Sequence, residues 1–96
     1  MTPATFDVDR RWTLDERVAL RPESFGALAY HFGTRRLSFL KHPQLVDVVE
    51  TLGDHPSAAA AMTAAGVDDD RRAVTVRALS TLADTAMIVP RTDAAR

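Results

Sequence analysis

The chain has 96 residues, 46% of them hydrophobic and 26% charged, with a formal net charge of −1 and no cysteine. That length allows one domain with a modest core. Lack of cysteine excludes disulfides, thiolate metal sites and cysteine nucleophiles together, and the near-neutral balance offers no dense positive surface to displace counterions from nucleic acid.

Residues 1–11 are polar and carry the charged run Asp7, Asp9, Arg10, Arg11, which reads as a flexible N-terminal arm before a domain over 12–89. No apolar run follows a positive segment there, as a signal peptide requires. No later stretch approaches the roughly 18 apolar residues of a membrane span. The expected location is cytoplasmic. Arg17 to Leu20 fits a short strand with Val18 and Leu20 on the buried side. Pro22 lacks an N–H, so this strand ends there or lies at a sheet edge. Gly26 opens a second strand to about Phe32, with Leu28, Tyr30 and Phe32 on one face and Ala27, Ala29 and His31 on the other. Gly33-Thr34 is read as a two-residue type II′ turn, glycine supplying the positive φ. A third strand follows over Arg35 to Lys41, with Leu37 and Phe39 alternating against Arg36, Ser38 and Leu40. Tyr30, Phe32 and Phe39 are expected in the core or on the floor of a groove.

His42-Pro43 starts a helix, since proline at the first helical position loses no bond. Leu45, Val48, Val49 and Leu52 form one helical stripe, ended by Gly53. Ser57 caps a second, alanine-rich helix that offers little to bury and is expected to be the less anchored one. Asp68, Asp69 and Asp70 start a third helix, with a stripe of Val76, Leu79, Ala83 and Ala86 widened by Leu82. Met87-Ile88-Val89 either continues that helix or turns back as a small strand, and residues 90–96 read as a flexible tail. Three antiparallel strands whose apolar face is covered by three helices make a two-layer α+β domain.

Catalytic chemistry is poorly served. His31, His42 and His55 lack ligand spacing, Ser24 and Ser38 lack a nucleophile elbow, and the glycines form no phosphate loop. The aspartate run reads as a helix cap before a metal site. Two features suit binding instead. The third strand, Leu37 to Leu40, lies at a sheet edge that either accepts another chain by strand addition or is blunted by Arg35, Arg36 and Lys41. Arg71, Arg72 and Arg77 on the third helix place charge beside apolar surface, or simply make a solvated face. The pattern by itself favours the blunted edge and the solvated face.

Arg21-Pro22-Glu23, Phe25-Gly26-Ala27, Tyr30-His31-Phe32-Gly33, Arg35-Arg36-Leu37 and Phe39-Leu40-Lys41 with Pro43 carry a resemblance. Over Trp12 to about Val89 the chain resembles the PqqD-like peptide chaperones, and within them the branch serving mycofactocin biosynthesis. The resemblance implies a winged-helix-like domain of three antiparallel N-terminal strands and three helices, without enzymatic activity and without a cofactor. It implies a recognition element for ribosomally made, modified peptides. Such a protein binds the leader of a short precursor as an added strand along the third strand and delivers it to a radical S-adenosylmethionine (SAM) maturase; nucleic acid and membrane are not expected partners. On that reading the peptide-binding residues are Arg36, Leu37, Ser38, Phe39 and Leu40, with Arg72, Val76 and Leu79 as the helix wall. Leu37 to Leu40 supply the backbone hydrogen bonds and Arg72 meets leader carboxylates. His42 departs from the pattern, where a better N-cap such as Ser or Asn is expected. The alternative, a winged-helix DNA-binding regulator, needs a basic recognition helix, and Asp68 to Asp70 crowd the end that would approach phosphate.

Overall fold

A computed structural model describes residues 5–91. In chain order the elements are β1 (Trp12–Leu14), β2 (Val18–Glu23), β3 (Gly26–His31), β4 (Arg36–Leu40), α1 (Pro43–Thr51), a 3-10 turn (Leu52–Asp54), α2 (Ala58–Ala64), α3 (Asp69–Asp84) and β5 (Ile88–Pro90). β2, β3 and β4 form an antiparallel three-stranded sheet in that order, followed by the three helices. This is the expected α+β arrangement. A second, two-stranded sheet pairs β1 with β5, Trp12 opposite Pro90. The Met87 run therefore turns back as a strand.

The turn that reverses it is a Schellman close. The Met87 N–H donates to Leu82 O at 2.8 Å, and Ala86 takes a left-handed φ of 60°. α2 ends the same way with Gly66 at φ 82° and Val67 N–H on Met62 O, there with the residue that best suits the conformation. Ser57 and Asp68 cap α2 and α3 as expected, accepting from Ala60 N–H and Arg71 N–H. His42 sits at the N-cap of α1 without a side-chain cap bond, and Pro43 occupies the first turn.

Trp12 is the centre of the core. It is fully buried, its indole N–H donates to Asp7 O at 2.9 Å, and Phe6 tilts against its ring at 5.2 Å. Val8 O and Arg10 O accept from Ala59 and Ala58 N–H. Residues 6–10, expected within a loose arm, are thus tied to the core and to the start of α2; residues 1–4 of that arm lie outside the described residues, as does the tail from 92 onward. α2 is also seated more firmly than its composition suggests. Ala58, Ala61 and Met62 are fully buried, because small side chains let a short helix approach closely.

The sheet departs from expectation in two ways. Its core face on β3 is Ala27, Ala29 and His31, all buried, so Leu28 and Tyr30 face outward. Phe32, expected inside or on a groove floor, is 61% exposed and lines no cleft beside β4, whereas Phe39, though 62% exposed, lines one. The β3–β4 connection is not a two-residue turn: His31 pairs with Arg36, leaving four residues between, and Arg35 carries the positive φ of 62°. Gly33 is needed for close approach instead. A Cβ there would lie 2.9 Å from His31 Cε1 and 3.0 Å from Arg17 Nη1. Gly26, with φ 148°, is equally constrained, since a Cβ would fall 2.1 Å from Leu40 O.

Candidate functional site

β4 is an edge strand, and its register shows which backbone groups are free. Phe32 N–H donates to Arg17 O, which fixes the even-numbered residues of β3 as those bonded to β2. Antiparallel alternation then turns Ala27, Ala29 and His31 toward β4, opposite Leu40, Ser38 and Arg36. Leu37 and Phe39 are left directing N–H and C=O away from the sheet. Of the four residues expected to supply backbone bonds, only these two can do so, because the polar groups of Ser38 and Leu40 are spent on β3. The same alternation explains Pro22. It lies opposite Ala27 in the non-bonded position, so its missing N–H faces the outer edge of β2.

Beside the β4 edge runs a cleft of about 260 Å³, lined by Phe39, Lys41, His42, Gln44 and Leu45 and, from α3, by Arg71, Val74, Thr75 and Ala78. It adjoins a second hollow where Ser38, Leu40, Thr81 and Leu82 line the walls. Lys41 and Arg71 are exposed at the rim, and among the described residues no carboxylate lines either hollow. The site is therefore apolar within, positive at its mouth, and bordered by a strand with free hydrogen-bonding groups. It can hold an extended chain with acidic and apolar side chains.

The expected residues divide. Arg36, Leu37, Ser38 and Phe39 lie on β4 as predicted, Leu37 being 57% exposed and Phe39 meeting Phe25 edge-to-face at 6.0 Å. Leu40 is buried, reaching the second hollow only at its margin. The helix wall is displaced by about one residue in phase. Leu79 is fully buried in the core, and Arg72 and Val76 line a shallow surface with Val8 and Arg77, away from β4. The residues facing β4 are Arg71, Val74, Thr75, Ala78, Thr81 and Leu82. Thr75 hid this phase. It is buried although polar, because its hydroxyl donates to Arg71 O at 2.9 Å, while the apolar Val74 is 52% exposed. The adjoining stripe Arg71, Val74, Ala78, with apolar positions three and four apart, was the available signal.

One buried polar cluster lies apart from the cleft. Asp15 accepts from Arg17 N–H at 2.8 Å and from its Nε at 3.1 Å. The Arg17 hydrogen bond, opposed by burial, holds the Asp15 carboxyl below its ordinary value. His31 Nδ1 accepts from Gly33 and Thr34 N–H, and its Nε2 lies 3.9 Å from Asp15. Among the described residues no group of three or more histidine, aspartate or glutamate side chains gathers to hold a metal ion.

This geometry defines a small α+β domain with a free strand edge set against a helix-walled, basic-rimmed cleft. The profile of the Peptide chaperone MftB family matches residues 11–89, and the chain belongs to that family. It is similar to Peptide chaperone MftB of Mycolicibacterium smegmatis, 56% identical over 86 residues that cover 90% of this chain and 84% of the relative. It is 56% identical over 85 residues to Peptide chaperone MftB of Mycobacterium ulcerans, covering 88% of this chain and 78% of that one. The Mycobacterium tuberculosis protein of the same name is 55% identical over 86 residues, covering 90% and 79%. No solved structure matches the chain.

Proposed function

We propose that this chain is a non-catalytic chaperone for a short, ribosomally made precursor peptide in mycofactocin biosynthesis. The leader of the precursor adds as a strand to the free edge of β4, and the complex presents the peptide to a radical SAM maturase. The observation that carries this reading is the edge itself: Leu37 and Phe39 direct unpaired backbone groups outward beside the cleft lined by Arg71, Val74 and Ala78. Main-chain bonds of that kind supply affinity, and pockets for alternate side chains supply selectivity. The basic rim favours an acidic leader. The names of the relatives, peptide chaperones throughout, support the same reading.

A DNA-binding role is less well supported. The N-terminus of α3 carries Asp68, Asp69 and Asp70, all exposed, which would face phosphate. No helix among the described residues is long and apolar enough to cross a membrane, and a cytoplasmic site of action completes the proposal.

Isothermal titration of the purified chain with its cognate precursor tests the reading. Binding in the nanomolar to micromolar range is expected, with amide shifts centred on Leu37 to Leu40. No binding at ~100 μM peptide, a loose ceiling on useful affinity, would sink it.

A further inference from the structure

The outer face of the three-stranded sheet is covered by nothing in the described chain. The helices pack on the opposite face, against Ala27, Ala29 and His31. On the outer face Tyr30 stands between Ala19 and Leu37, and Phe32 meets Tyr30 edge-to-face at 5.2 Å. Phe32 and Leu37 are more than half exposed. Clustered aromatic and aliphatic side chains on a small monomer mark an interaction surface, whereas single exposed ones do not.

Charge identifies the occupant. Five of the twelve Lys and Arg residues fall in 17–41 (Arg17, Arg21, Arg35, Arg36, Lys41), against one of the thirteen Asp and Glu residues, Glu23. Arg17 and Arg21 pair with Asp15 and Glu23. Arg35 and Lys41 form no ion pair among the described residues and leave the border of this face positive, while Arg36, opposite His31, starts from the other face. A second copy would bring like charges together, which costs association. The remainder of the chain carries excess negative charge and would be repelled by an anionic bilayer. The pleated face suits a folded surface better than an extended peptide, which the neighbouring cleft already fits. Exposed aromatics within an arginine rim are the composition of protein-interface anchors.

We propose that this outer face, centred on Tyr30, Phe32 and Leu37 and bordered by Arg21 and Arg35, docks a folded protein through an apolar patch edged with carboxylates. The face is separate from the β4–α3 cleft, so partner and peptide are held at the same time. The proposal rests on the reading above in taking the maturase as that partner.

The test titrates the purified radical SAM maturase encoded beside the cognate precursor against the full chain and three variants, each checked for folding by thermal melt. Phe32→Glu is expected to weaken maturase binding at least tenfold and leave precursor affinity within twofold. Ala19→Glu, at an exposed position on the same face and far from the cleft, repeats the test should Phe32→Glu fail to fold. Arg71→Glu, at the mouth of the cleft and off the outer face, is expected to weaken precursor binding and leave the maturase bound. Maturase affinity within twofold of wild type in both glutamate variants would overturn the proposal, as would no maturase binding at ~100 μM, a loose ceiling on useful affinity. Capture of the wild type by phosphatidylserine vesicles with loss in Phe32→Glu would overturn the choice of partner. Maturase binding that depends on Phe32, with no precursor binding at all, would uphold the docking face while removing strand addition.

Discussion

The backbone N–H of Gly33 donates to Nδ1 of His31 at 3.0 Å, and Thr34 N–H donates to the same atom at 3.1 Å. A buried imidazole thereby serves as the inner template of the β3–β4 turn. His31→Leu roughly keeps the volume and removes the acceptor, leaving two backbone donors without their partner. We expect a loss of about 1–3 kcal/mol, measured by urea denaturation. Gly33→Ala is expected to destabilise as well, since its Cβ would press on the fixed imidazole. A neutral outcome for both would show that the turn is held by other means.

The carboxyl of Asp15 has a pKa below its ordinary 3.8, chiefly because the Arg17 side chain hydrogen-bonds to it. The folded protein therefore gives up this proton more readily than the unfolded chain. The stabilisation is complete above the ordinary value and fades as pH falls through the lower, folded one. Asp15→Asn should cost about 1 kcal/mol near neutrality. The gap between wild type and variant should close as pH falls below about 4, near the unperturbed aspartate value. Melting temperatures recorded across that range check the sign.

Ala86 closes α3 in a left-handed conformation that glycine adopts freely, as Gly66 does at the end of α2. Ala86→Gly should stabilise the protein by about 0.5–1 kcal/mol. A fall in the denaturation midpoint would mean that the lost side-chain packing outweighs the relief of the backbone.

Two prolines, one residue apart, separate an added strand from an ordinary surface contact. Leu37→Pro removes an N–H that the sheet does not use, so the fold should hold while precursor affinity falls about tenfold, the equivalent of a charge-free hydrogen bond or slightly more. Ser38→Pro removes a bond to β3 and should lower the melting temperature. Equal peptide binding by Leu37→Pro and wild type would argue against backbone pairing at β4.

The position of the arginines on α3 can be tested directly. Arg71→Glu reverses a charge at the mouth of the cleft and should weaken binding of an acidic leader about tenfold, with a slower association rate. Arg72→Glu changes a residue on the Val8 side of the helix and should alter it little. The opposite ranking would restore the wall formed by Arg72 and Val76.

Local signals carried much of the fold. Pro43, Ser57 and Asp68 marked three helix starts because capping and proline geometry depend on a few adjacent residues. The edge position of β2 followed from Pro22, and the edge character of β4 from the hairpin. The side of the sheet that faces the core was misjudged for a physical reason. Alternation separates the two faces without saying which is buried, and here close packing of the helices selected Ala27 and Ala29 over Tyr30 and Phe32. The phase of α3 was obscured by Thr75, whose hydroxyl is satisfied within its own helix. Pairing of β1 with β5 left no local trace, since each strand has three residues and their partnership spans nearly the whole domain.

That pairing also fixes where the polypeptide enters and leaves. Trp12 and Pro90 lie side by side, and Arg11 O accepts the Arg91 N–H at 2.9 Å. The first and last strands of the domain are thus clamped to each other, so neither frays without releasing the other, and the fully buried Trp12 is sealed from both directions of the chain.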